Sequence, residues 1–129
     1  ERIHHKDELV PERVITEMAK LGYFGLSIPE QYGGHALGNL AMILTTEELS
    51  RVSLAAAGSL ITRPEILAKA LLAGGTEEQK QHWLPKLAEG EIMAAISVTE
   101  PDAGSDVASL ACRAEPADGG WAITGAKAW

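Results

Sequence analysis

An α+β fold is predicted by three features of this 129-residue sequence. Up to about residue 90, apolar side chains recur at helical spacing. From Ile92 onward the period changes to short, strand-like runs. Between the two patterns lies one polar turn, Val98-Thr99-Glu100-Pro101-Asp102-Ala103-Gly104-Ser105-Asp106. Helices segregated from antiparallel strands along the chain are the mark of this class.

The helices follow in order. Pro11 to Leu21 places Val10, Val14, Met18 and Leu21 on one face, with Pro11 in the first turn and Gly22 as the stop. The Gly/Pro-rich loop from Tyr23 to Gly34 holds the only Phe and both Tyr residues, which points to aromatic packing onto neighbouring helices. A second helix runs from Leu40 to Val52, with Asn39 as its cap. Glu47 and Glu48 are adjacent in it, so they point about 100° apart and read as two solvated acids. Leu54 to Ala73 is helical but interrupted at Thr62-Arg63-Pro64-Glu65. Either a new helix starts there with Thr62 and Glu65 in a capping box, or one long helix kinks at Pro64. Thr76-Glu77-Glu78-Gln79 opens the last helix with a capping box, and Trp83, Leu84 and Leu87 form its apolar face.

Ile92 to Val98 is too short and too apolar for an exposed helix and reads as a strand buried on both faces. Leu110 to Glu115 and Trp121 to Ala128 are two further strands, joined through a hairpin turn at Asp118-Gly119.

Composition narrows the function classes. The formal net charge is −7, which disfavours a nucleic acid partner. No apolar run approaches the roughly 20 residues of a membrane span. Cys112 stands alone, so no internal disulfide forms, as suits a reducing compartment. His4 and His5 are adjacent, and His35 and His82 lack a second ligand at helical spacing, so all four read as solvated and no metal site is expected. The chain starts at Glu1 without a Met and stops at Trp129 within an expected strand, so both ends read as cut.

The turn carries the chemistry. Pro101 extends Glu100 and removes one N–H, Gly104 permits positive φ, and Ser105 and Asp106 can cap nearby donors. Such a turn leaves N–H groups and hydroxyls pointing one way, which suits an anionic or heteroaromatic ligand, or it is a polar connector between domains. Arg63 is either a reader of a substrate carboxylate or a solvated, salt-bridged cation.

Several of these stretches together resemble the acyl-CoA dehydrogenases. They are Leu21-Gly22-Tyr23-Phe24-Gly25, Ile28-Pro29-Glu30-Gln31-Tyr32-Gly33-Gly34, Gly75-Thr76-Glu77-Glu78-Gln79-Lys80, Trp83-Leu84-Pro85, Val98-Thr99-Glu100-Pro101 with Gly104-Ser105-Asp106, and Gly125-Ala126-Lys127-Ala128-Trp129. Each is weak alone; in this order and spacing they are specific. The resemblance implies an FAD-carrying oxidoreductase of fatty acid metabolism, with an N-terminal helical domain, a barrel-like middle β domain and C-terminal helices that build a tetramer. Residues 1–90 then correspond to the helical domain and 91–129 to the beginning of the β domain, a truncated piece of the larger fold. It further implies that Ile96, Ser97, Val98, Thr99, Gly104 and Ser105 border the flavin, that Ser105 also reaches the acyl-CoA, and that Trp129 opens a second flavin-contacting segment. The substrate is an acyl-CoA thioester, oxidised to the enoyl-CoA. The electron acceptor is an electron-transfer flavoprotein or similar, the full-length enzyme is a homo-oligomer (dimer or tetramer), and the location is the bacterial cytosol or the mitochondrial matrix. The catalytic base of the family is a Glu beyond residue 129, so no residue here is assigned a catalytic role. Asp102 departs from the Gly of many members. The neighbourhood Ser59-Leu60-Ile61-Thr62-Arg63 is most similar to members acting on short branched or carboxylated thioesters. The alternatives are other flavin chemistry on the same frame, of oxygenase or nitroalkane oxidase type, or a non-catalytic scaffold.

Overall fold

Residues 9–129 are described by the computed structural model, which divides them into a helical unit that ends at Ala95 and a second unit, Ile96–Trp129. His4 and His5 lie outside the described residues. In the helical unit, Pro11 at φ −59° leads into α1 (Glu12–Lys20), which buries Ile15 and Met18. Leu21 does not join that face and is 64% exposed. It caps the helix, and Gly22 at φ 74° then turns the chain away, so Leu21 no longer follows the helical stripe.

The aromatic loop is anchored from within. The N–H groups of His35, Ala36 and Leu37 donate to the carbonyls of Gly25, Ile28 and Leu26 at 2.8, 2.9 and 2.8 Å. Phe24 and Tyr32 are buried, as packing predicts. Tyr32 Oη donates to Glu77 Oε1 at 2.9 Å. Burial, followed by the Glu77 carboxylate, pushes the Tyr32 hydroxyl above its ordinary pKa.

Helix α2 spans Gly38–Val52 and starts one residue before Asn39. No side chain caps it, because the incoming Leu37 is already helical in conformation. Ser53 then caps α3 (Leu54–Leu60) by accepting from the Ala56 N–H at 3.3 Å. The interruption at Thr62–Glu65 is neither a fresh start nor a clean break. A π-helical turn, Ile61–Glu65, carries Pro64 and runs straight into α4 (Ile66–Gly74). Widening the helix by one residue accommodates a proline that has no N–H to give. The Thr62 side chain lies outside the described residues; the Glu65 carboxylate accepts from Ser27 Oγ at 2.6 Å and meets Lys69 Nζ at 2.6 Å.

The capping box of α5 (Glu77–Ala88) is present, with Gln79 N donating to Thr76 Oγ1 and Thr76 N to Gln79 Oε1. Its buried face is Leu84, Leu87 and Ala88. Trp83 stays 40% exposed, edge-on to His82 and under the Lys86 ammonium. The indole thus covers the rim, where its amphipathic ring and a cation both remain in water. Two apolar clusters result. One gathers Ile15, Met18, Phe24, Leu26, Met42 and Leu60, and the other Ile28, Tyr32, Ala68, Leu84, Leu87 and Ala88.

Ile92 to Val98 is not a strand. Ile92 and Ala94 lie partly buried against the second cluster, while Met93 and Ile96 are exposed. No described strand pairs with the segment, and an extended run without a hydrogen-bonded neighbour has no ladder to join. In the second unit, β1 (Arg113–Ala117) and β2 (Gly120–Thr124) form an antiparallel hairpin, with Ala117 opposite Gly120 and Gly119 at φ 79° in the turn. Both strands are shorter than expected. Outside the ladder, the N–H groups of Ala111 and Cys112 donate to the Glu100 carboxylate and the Ala128 N–H to the Thr99 carbonyl.

Candidate functional site

The turn after Val98 is closed by paired backbone bonds between Glu100 and Ala103, with Glu100 N donating at 2.7 Å. Pro101 and Asp102 occupy its tip. The side chain of Glu100, to which no motif assigns a role, organises the unit. Only 8% exposed, its carboxylate accepts from the N–H of Ala111 at 2.7 Å, the N–H of Cys112 at 2.8 Å and Lys127 Nζ at 2.9 Å. The Ala111 N–H, then Lys127 and the Cys112 N–H, hold the Glu100 carboxyl below its ordinary pKa, outweighing burial, which pushes it up. Lys127 Nζ also donates to the Val98 carbonyl at 2.9 Å, and the Ala128 N–H donates to the Thr99 carbonyl at 2.9 Å.

The last segment reaches this position through Gly125. At φ 148° it lies so close to Cys112 that a Cβ would sit 2.8 Å from the Cys112 Cα. Nothing in the spacing of Glu100 and Lys127, 27 residues apart, says that they meet.

All of the expected flavin-bordering residues lie in the second unit, where Gly104 and the Ala128 that precedes Trp129 meet Thr99. Ile96, Ser97 and Val98 lead into the turn, and Gly104 lies beside Thr99, 3.6 Å from its Cγ2 to a built Cβ. Ser105 follows Gly104, and Trp129 follows the Ala128 bonded to Thr99. Thr99, Ser105 and Trp129 are all exposed. Among the described residues, no acceptor meets the N–H of Thr99, Gly104 or Ser105, and no partner meets the Thr99 or Ser105 hydroxyl. The turn therefore offers several hydrogen-bond donors, and Trp129 stands one residue beyond the Ala128 that bonds it, an arrangement that suits a planar polar ligand.

Arg63 belongs to the helical unit, in the π turn, and its side chain lies outside the described residues. Its neighbours Ile61 and Glu65 line a groove of about 550 Å³ together with Met42, Ile43, Thr46 and Lys69. No group of three or more metal-ligating side chains occurs among the described residues. No described helix is long and apolar enough to cross a membrane.

Comparison with known proteins bears on this geometry. The chain is 47% identical over 126 residues to the (2S)-methylsuccinyl-CoA dehydrogenase of Cereibacter sphaeroides, covering 98% of this chain and 23% of the relative. A solved structure from Acidaminococcus fermentans, described as an electron transferring flavoprotein, matches at TM-score 0.85 and 34% identity over 95% of this chain and 32% of its own. An acyl-CoA dehydrogenase complexed with FAD from Bacillus anthracis matches at TM-score 0.79 and 34% identity, over 91% of this chain and 20% of its own. The chain thus spans about a fifth to a third of the length of the proteins it matches. Residues 1–91, which hold the anchored aromatic loop and the capped α5, match the family model described as acyl-CoA dehydrogenase, N-terminal domain, and the chain belongs to the acyl-CoA dehydrogenase family.

Proposed function

We propose that this chain is the amino-terminal part of an FAD-dependent acyl-CoA dehydrogenase that oxidises an acyl-CoA thioester to the enoyl-CoA. The observation that carries the reading is the bond from Ala128 N–H to the Thr99 carbonyl, which sets Trp129 beside a turn with unmatched donors. The donor set fits a flavin: hydroxyls and N–H groups suit its polar ring edge, and an indole suits its apolar face. In this reading Ile96, Ser97, Val98, Thr99, Gly104, Ser105 and Trp129 hold the cofactor. Ser105, at the exposed end of the turn, also contacts the acyl-CoA. When bound, FAD supplies hydride acceptance. This chain's own contribution is to bind and orient, through the Thr99 hydroxyl, the Ser105 hydroxyl and the Trp129 face. The α proton is taken by a Glu beyond residue 129.

The same proposal places the domain boundary near residue 90, with 1–90 helical and 91–129 beginning the β domain. The packing break falls slightly later, after Ala95, because Ile92 and Ala94 lie on the helical core. An electron-transfer flavoprotein as acceptor, a homo-oligomeric enzyme and a place in the bacterial cytosol or mitochondrial matrix belong to it too. The substrate reading is a short branched or carboxylated thioester, with Arg63 as carboxylate reader beside the groove that Ile61 and Glu65 line. The 47% identity to a methylsuccinyl-CoA dehydrogenase supports this class.

Mutation of the turn in the full enzyme tests the cofactor assignment. Thr99→Val should weaken FAD retention or shift the flavin spectrum, since one buried neutral hydrogen bond contributes about 0.5–1.5 kcal/mol. Trp129→Ala should cost more, because a large contact is lost with its stacking. Unchanged flavin content and spectrum in both variants would overturn the placement. Anaerobic bleaching of the flavin by an acyl-CoA tests the reaction itself, and an enzyme whose flavin no acyl-CoA bleaches sinks it.

A further inference from the structure

Glu100 and Lys127 touch no candidate ligand atom, yet they join the chain on both sides of the proposed cofactor site. The Glu100 carboxylate is saturated by two N–H groups and one ammonium, and that ammonium is shared with the Val98 carbonyl. Neither group has a function as an isolated charge: the carboxylate is buried and Lys127 is largely so, its side chain 24% exposed. A buried pair of this kind contributes little net stability but strongly disfavours any arrangement that separates its partners. Here the arrangement it specifies is register. Lys127 spans Val98 and Glu100 while its neighbour Ala128 bonds Thr99, so the segment ending at Trp129 cannot slide along the turn without breaking both contacts. Pro101 has already extended Glu100, and Gly125 lets the incoming segment lie against Cys112, so both partners reach one another without a Cβ in the way.

We infer that Glu100 and Lys127 are positioning residues, a buried pair that locks the Thr99 turn and the Trp129 segment in the register needed to hold one flavin. This rests on the cofactor reading proposed above. It deepens that reading by naming side chains that act only through others.

The test uses the full enzyme as isolated, then stripped of flavin and titrated with FAD. Variants are Glu100→Gln, which keeps the side-chain shape, Lys127→Met, and the double variant. Each single change should raise the Kd for FAD by about tenfold or more and move the visible flavin bands. The double variant should lose no more than the worse single one, because either change alone already breaks the lock. Far-ultraviolet circular dichroism should match the parent throughout. A parent enzyme that carries no flavin overturns the cofactor reading and this inference with it. A flavin-bearing parent whose variants keep its Kd and band positions overturns this inference alone. Additive losses in the double variant also overturn it, as does failure of both single variants to fold, since the pair would then hold the unit together rather than align two segments.

Discussion

Removing the Ser27 hydroxyl should cost more stability than removing the Lys69 charge, although both partners stand 2.6 Å from the same carboxylate. Counting charges gives the opposite order. The structure decides through exposure: the Lys69 side chain is 56% exposed, whereas the Glu65 side chain is only 10% exposed and Ser27 is half-buried. An exposed lysine one helical turn away is a screened pair contributing about 0.3–0.5 kcal/mol. When Lys69→Met removes it, water approaches that carboxylate oxygen from the side the lysine occupied. Ser27→Ala instead leaves Oε2 without its donor, and a hydrogen bond to a charged group contributes about 1.5–3 kcal/mol. The same bond ties the aromatic loop to the π turn, so its loss is felt by both elements. Urea denaturation followed by circular dichroism, at 0.05 and about 1 M salt, measures both variants. The Lys69→Met effect should fade at high salt, and the Ser27→Ala effect should persist. A Lys69→Met loss larger than that of Ser27→Ala would refute the exposure argument.

Other outcomes follow from the same core and site. Leu84 is fully buried among Ile28, Tyr32 and Leu87, so Leu84→Ala should destabilise the helical unit by about 2–5 kcal/mol in the same denaturation assay. The Tyr32 pKa is raised in the fold, so its contribution is complete below the ordinary value of 10.0 and is lost as pH rises through the higher folded value. Stability profiles of the parent and Tyr32→Phe should therefore run parallel at neutral pH and converge in alkali; profiles that stay parallel above that value would contradict the assignment. In the full enzyme, Arg63→Met should raise KM for a carboxylated acyl-CoA by about tenfold or more while sparing a plain one. Equal effects on both would return Arg63 to a salt-bridging role.

Local chemistry was enough to read the helices and the hairpin. Thr76 and Gln79 specify a capping box by type and spacing, Pro11 and Gly22 bracket α1, and Asp118-Gly119 specifies the hairpin turn, because each signal acts between residues a few positions apart. The family was legible for the same reason: its motifs are short local stretches in a fixed order. Period alone misassigned Ile92–Val98, since a strand is defined by the neighbour it bonds and not by its own apolarity. Pro64 was seen, but whether the helix would break or widen there depended on what surrounds it. Tertiary structure alone decided that Glu100 would be the centre of the second unit. Its partners Ala111, Cys112 and Lys127 come from 11 to 27 residues further along the chain, and no periodicity links them. A buried carboxylate takes whatever donors the fold delivers to it, because leaving it unpaired costs far more than bending the chain to reach them.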